Sequence, residues 1–143
     1  MAKIAWEHGY LTCASESAWK SKFIFHFHLW GEKFKNSNIW KDGVTAISEL
    51  ENEGWEIVSV TGRNEILLQR PVNETLWKPW EHKILEGFQE GFVLNDLYTD
   101  IPSQPMTLWM DKSLAIVDLG FDGWQVAGYT EGNIIFKRHK EDS

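Results

Sequence analysis

The sequence predicts an α+β domain. Two copies of one β-β-α-β-β unit form a single pseudo-two-fold domain of antiparallel sheet with two helices. Three observations predict it. First, ELENEGWEIVSV at 49–60 returns as DLGFDGWQVAGY at 118–129, which aligns Gly54-Trp55 with Gly123-Trp124 at an offset of 69 residues. Second, at that offset Trp40 falls on Trp109, Asp42 on Asp111, Ala46-Ile47 on Ala115-Ile116 and Leu50 on Leu119. The offset drops by one between Asn64, aligned with Asn133, and Arg70, aligned with Arg138. Third, Trp-Glu-His stands near the start of each half, at 6–8 and 80–82. So many matches in one order mark a tandem duplication. The first repeat is 1–72, a short linker is 73–79, the second repeat is 80–140, and 141–143 is a tail. Two units make a pseudo-dimer and not a solenoid.

Each element follows from its pattern. IAWEHGYL places Ile4, Trp6, His8 and Tyr10 on one face, and WEHKILEGF places Trp80, His82, Ile84 and Phe88 likewise; a period of two means strand. FIFHFHLW at 23–30 alternates Phe23, Phe25, Phe27 and Leu29 against Ile24, His26, His28 and Trp30, and GFVLNDLY at 91–98 is its counterpart. A helix follows in each half. Asp42 and Asp111 suit its N-cap, because a carboxylate accepts from the free amides of the first turn. Ile47 and Leu50, like Ile116 and Leu119, share an inward face. Gly54 and Gly123 suit the position after the helix, where a positive φ ends it. WEIVSV then turns through TGRN into EILLQR, and WQVAGY through TEGN into IIFKR, each a hairpin. Pro71 and Pro79 stiffen the aromatic linker, and TDIPSQPM at 99–106 is an irregular loop.

Composition narrows the function. At 143 residues the chain fits one ordinary domain or two very small ones, and 43% hydrophobic residues predict a packed core. No apolar run approaches a membrane span, no signal peptide is read at MAKIAWEHGY, and a single cysteine, Cys13, forms no intrachain disulfide. The expectation is a protein of the bacterial cytoplasm, in an infected or uninfected cell. A net charge of −7 argues against general nucleic-acid binding, which needs cations on the phosphates.

The run Leu50, Gly54, Trp55, Glu56, Ile57, Val58, closed by Arg70, resembles a family of small bacterial and phage domains of unknown function with a Leu-x-x-x-Gly-Trp-Glu-Leu-Val signature. The second half carries Leu119, Gly123, Trp124, Val126, Lys137 and Arg138, with Gln125 in place of the Glu and Ala127 in place of the second apolar residue. The resemblance implies the α+β unit and the phage or bacterial setting. It implies no reaction and no catalytic residue.

Six of the nine tryptophans form repeat pairs, 6/80, 40/109 and 55/124, and a ring kept by both copies is expected in the core. Trp19, Trp30 and Trp77 have no counterpart and are the candidates for function, Trp77 at an interface. His8 and His82 are read as half-buried and hydrogen-bonded. His26 and His28 share a strand face, yet no third ligand stands at a telling spacing, so neither a metal nor another cofactor is expected. Glu7-His8 and Glu81-His82 point to opposite faces of their strands, which spoils them as acid–base pairs. No nucleotide-binding, hydrolase or metalloprotease motif is present.

Charge divides the halves. From 19 to 41 stand five lysines and one acid, whereas 86–111 holds five acids and no Lys or Arg. The leading expectation is a non-catalytic module for a small anionic, nucleotide-like ligand, such as a phage-encoded sponge for a nucleotide immune messenger. Its site would use Lys20, Lys22, Lys33 and Lys35 around Trp19 or Trp30, with Arg63 as a clamp: cations meet phosphates and a ring stacks a base. The alternative is a protein-interaction or assembly module, a homo-oligomer in which basic segment meets acidic segment. A hydrolase or metal enzyme is third.

Overall fold

The computed structural model describes residues 3–17, 20–30, 38–61, 65–98, 107–130 and 132–140; of residues 13–17, 20–24, 38 and 61 only the backbone is described. The first copy runs β1 (Trp6–Ser17), β2 (Lys20–Leu29), β3 (Asn38–Trp40), α1 (Gly43–Asn52), β4 (Glu56–Thr61) and β5 (Glu65–Pro71). The second runs β6 (Trp80–Phe88), β7 (Gly91–Asp96), α2 (Lys112–Phe121), β8 (Gln125–Thr130) and β9 (Asn133–His139). Each makes its own antiparallel sheet, ordered β3-β2-β1-β5-β4 and β7-β6-β9-β8. The α+β class, the two repeats and the two helices are those the sequence predicts. The short strand β3 was not expected. Its counterpart in the second copy is a single bridge, where Phe92 pairs with Trp109 as Phe25 pairs with Trp40.

The helices begin and end for the expected reasons. Asp42 accepts from the Thr45 amide at 2.7 Å, and Asp111 accepts from the Ser113 amide at the same distance. Gly54 and Gly123 lie at φ 87° and 89°, where a side chain would strain the backbone. The following hairpins share a bulge, between Ile57 and Ser59 and between Val126 and Gly128. The register also explains the change of offset. Glu65 pairs with Thr61 and Asn133 with Thr130, so the first turn is one residue longer and Asn133 corresponds to Glu65, not to Asn64.

Within each copy, a helix packs on one face of its sheet. Leu11, Phe27, Ile66 and Leu68 meet Ala46 and Leu50 of α1, while Leu85, Ile134 and Phe136 meet Ala115 and Leu119 of α2. The first core also takes in Leu97, Ala127 and Ile135 from the second copy, and Ile84 packs against it. Ile84 and Ile135 pair with each other and lie on the face of β6 and β9 opposite Leu85 and Ile134. The second sheet thus buries α2 on one face and α1 on the other.

Polar contacts fix this junction. The Ile57 amide donates to His82 Nε2 at 2.9 Å, and His82 Nδ1 lies 3.0 Å from Glu51 Oε2. Because Nε2 accepts, the ring proton sits on Nδ1 and is donated to Glu51. Lys137 Nζ donates to Glu56 Oε2 at 2.7 Å and to the Ile57 carbonyl at 3.0 Å. Tyr98 meets Phe25 edge to face, over Gly43, where any Cβ would collide with its ring. The pseudo-symmetry expected of the copies holds for their internal structure and not for the contacts between them. Under a two-fold axis, His8 would meet Val126 as His82 meets Ile57; instead His8 and Val126 are both exposed.

That one-sidedness corrects the tryptophan assignment. Trp40, Trp55, Trp80 and Trp124 are buried and Trp109 is half-buried, as core pairs should be. Trp6 is exposed, because the sheet face it shares with His8 and Tyr10 has no neighbour like the one that covers Trp80 and His82.

Candidate functional site

The repeat builds the same polar knot twice. Arg70 Nε donates to Glu7 at 2.5 Å, its Nη1 donates to the Glu53 carbonyl at the end of α1, and its guanidinium lies 4.4 Å over Trp55. Arg138 does the same with Glu81, the Asp122 carbonyl and Trp124. In the first copy the knot is closed: Trp77 stacks on the other side of Arg70 at 3.6 Å and donates to the Pro71 carbonyl. Trp77, proposed from sequence for an interface, is therefore the seal between linker and first copy. In the second copy none of the described residues occupies that place, and a cavity of about 430 Å³ opens there among them.

Glu81, Asp118, Asp122, Lys83, Arg138 and Trp124 line this cleft. Leu94 stands where the first copy has Phe27 against Trp55, which leaves part of the room. Its cations are occupied: Arg138 by Glu81 and Asp122, Lys83 by Asp96. Partial burial works against the Arg138 charge, but the hydrogen bond and charge of Glu81, with Asp122, outweigh it and hold its pKa above the ordinary arginine value. Three carboxylates face two neutralised cations, so the cleft does not suit an anion.

The most unusual surface lies on the outside of α2. Leu114, Val117 and Phe121 recur at spacings of three and four, which aligns them on one side of α2, Met110 stands just before the N-cap Asp111, and all four are exposed, Phe121 at 90%. The corresponding residues of the first copy are Lys41, Thr45, Ser48 and Asn52. The second copy has an apolar residue at each place where the first has a polar one. Sequence reasoning missed this ridge, although the 69-residue offset, applied position by position, displays it.

The sequence-predicted ligand residues do not assemble into one described site. Trp19, Lys33, Lys35 and Arg63 lie outside the described residues. Lys20 and Lys22 begin β2, with only their backbone described, while Trp30 stands just beyond its other end. At about 3.3 Å per residue, Lys20 and Trp30 are on the order of 30 Å apart, so no small ligand reaches both. Trp30 is 53% exposed and ends a ring ladder: it meets Tyr10 at 5.4 Å, Tyr10 stacks on His28 at 4.7 Å, and His28 faces His26 at 6.1 Å. The two histidine planes are nearly parallel, and the described residues contain no group of three side chains that could hold a metal. Of the acidic segment, Asp96 pairs with Lys83 and Asp111 caps α2, so both are engaged within the chain. No helix among the described residues is long and apolar enough to cross a membrane. Compared with protein-family models, curated proteins and solved structures, the chain matches none.

Proposed function

We propose that this chain is a non-catalytic protein-interaction module whose apolar ridge on α2 docks on a complementary apolar surface. The observation that carries this is the set Leu114, Val117 and Phe121, exposed on one side of a helix, with Met110 exposed just before it, where the first copy is polar at all four places. Exposed apolar surface of that continuity marks an interaction site in soluble proteins. A Val117→Asp/Phe121→Asp variant should keep its circular dichroism and melting temperature, since neither side chain is buried. In its native cell, residue-mapped cross-links from α2 to a partner should be present for the parent chain and absent for the variant. The same cross-links in both would remove the proposal.

The ring ladder at Trp30 favours a second reading, a stacking platform for a flat anionic ligand such as a nucleotide, the sponge activity expected from sequence. Calorimetry with mono-, di- and cyclic nucleotides tests it. Binding of intact ligand, lost in Trp30→Ala and in Lys33→Ala/Lys35→Ala, would support it. Chromatography showing breakdown of the ligand would instead indicate an enzyme.

A further inference from the structure

The contact between the copies uses each kind of surface once and leaves its twin bare. The face of the second sheet bearing Trp80, His82, Ile135 and Lys137 is seated on α1 and β4. By strand register its twin on the first sheet bears Trp6, His8, Leu67 and Gln69; Trp6 and His8 are exposed there, and no helix among the described residues is seated on it. The α1–β4 surface is covered, with Ile57 fully buried, whereas its equivalent on α2 and β8, Val126, is 61% exposed. A Cβ on Gly54 would meet Trp77 at 2.8 Å, while one on Gly123 would meet no described atom within 4 Å.

We propose that a second copy of this chain closes both bare surfaces: the outer face of the first sheet of one chain seats on α2 and β8 of the next, by the geometry that seats the second repeat on the first. Donor and acceptor surfaces differ, so the contact is heterologous and repeats head to tail into a ring or a filament. It is distinct from the ridge, whose counterpart on α1 meets the second repeat only at its last residue among the described contacts, where Asn52 accepts from Lys140 at 3.3 Å, and from the basic-to-acidic pairing that the charge pattern suggested.

Individual contacts transfer. The Ile57 amide on His82 becomes the Val126 amide on His8, from the same edge-strand position. The ion pair of Lys137 with Glu56 becomes Gln69 with Gln125, two amides in place of two charges; Gln69 Nε2 donates to Glu56 of its own sheet at 2.9 Å, which leaves its amide oxygen to accept from Gln125. Val60 against Gly128 becomes Tyr129 against Ser59, the larger residue again meeting the smaller. The residue aligned with Trp77 is Lys3, which arrives at a cleft whose carboxylates outnumber its cations. One contact is lost: Gly120 replaces Glu51, so His8 finds no carboxylate. With no buried ion pair and no covalent linker, the junction between chains is weaker than the internal one, and assembly depends on concentration.

Sedimentation and mass photometry over a concentration series test this. Val126→Asp blocks the helix-side surface, and His8→Asp blocks the sheet-side surface; both residues are exposed, and circular dichroism checks that each variant folds. The parent chain should grow past the dimer with concentration. Each variant alone should stay monomeric. Mixed, the two should form a one-to-one dimer and nothing larger, because each retains one intact surface. A parent chain that stays monomeric at millimolar concentration overturns the proposal. So does a variant that still dimerises with itself, or growth abolished by Phe121→Asp but not by Val126→Asp, which would make the ridge the contact.

Discussion

Arg70 and Arg138 show what a single residue does in this fold. Each ties the last strand of its copy to the first strand through a carboxylate, to the helix end through a carbonyl, and to the tryptophan beneath it. The tryptophans were legible in sequence as core, because both copies keep the Gly-Trp pair. The arginines were legible only as matched strand ends, since the ring and carboxylate that hold them are distant in sequence. Truncating Trp55 or Trp124 to Ala should cost about 3–5 kcal/mol in denaturant unfolding, as large buried aromatics do. A loss below about 1 kcal/mol at Trp55 would mean that its ring is not the support described. His82 is the other decisive residue. His82→Leu orphans the buried Ile57 amide and strips Glu51 of its donor, at about 1–3 kcal/mol per group. His8→Leu, in the same sequence context but exposed, should change the stability of the dilute protein little. Comparison of the two melting curves checks this asymmetry, and equal losses would contradict it.

At the scale of elements, caps, glycines and strand alternation were readable because each is a local constraint. The side chain of Asp42 is held below the ordinary aspartate pKa by the Thr45 amide and then by the Thr45 hydroxyl. A lowered folded-state pKa adds stability that is complete above the unfolded aspartate value and is lost as pH falls through the folded one. Asp42→Asn keeps a capping oxygen without the titration. Its stability deficit against the parent should therefore shrink as the solution is acidified through the aspartate range; a deficit independent of pH would refute the role of the charge. The two helix-ending glycines share a positive φ but differ in surroundings. Gly123→Ala should cost about 1–2 kcal/mol of backbone strain alone. Gly54→Ala should cost more, because the new Cβ would lie 2.8 Å from Trp77. Equal costs would mean that Trp77 does not seal the first copy. What local rules could not supply was β3. It is three residues long, and pairing with β2 supports it while the Trp40 indole donates to Glu49.

For the whole molecule, sequence gave the duplication but not the way its halves meet. A repeat fixes which residues are equivalent and is silent on which equivalent surfaces are used. Six tryptophans were assigned to the core by equivalence alone, and Trp6 departs because its copy has no neighbour on that side. The predicted basic site was equally a judgement about sequence neighbours, and the length of β2 separates Lys20 from Trp30. The α2 ridge, by contrast, was present in the sequence as four polar-to-apolar changes at one offset, obscured by attention to what the copies share. The central claim is that the contact between copies is one-sided and leaves the second copy open. Amide hydrogen exchange at two equivalent positions tests it most directly. In dilute protein the Ile57 amide, bonded to buried His82, should exchange slowly and the Val126 amide quickly. On concentration the Val126 amide alone should gain protection. Equal protection of both amides in the dilute monomer would contradict the account.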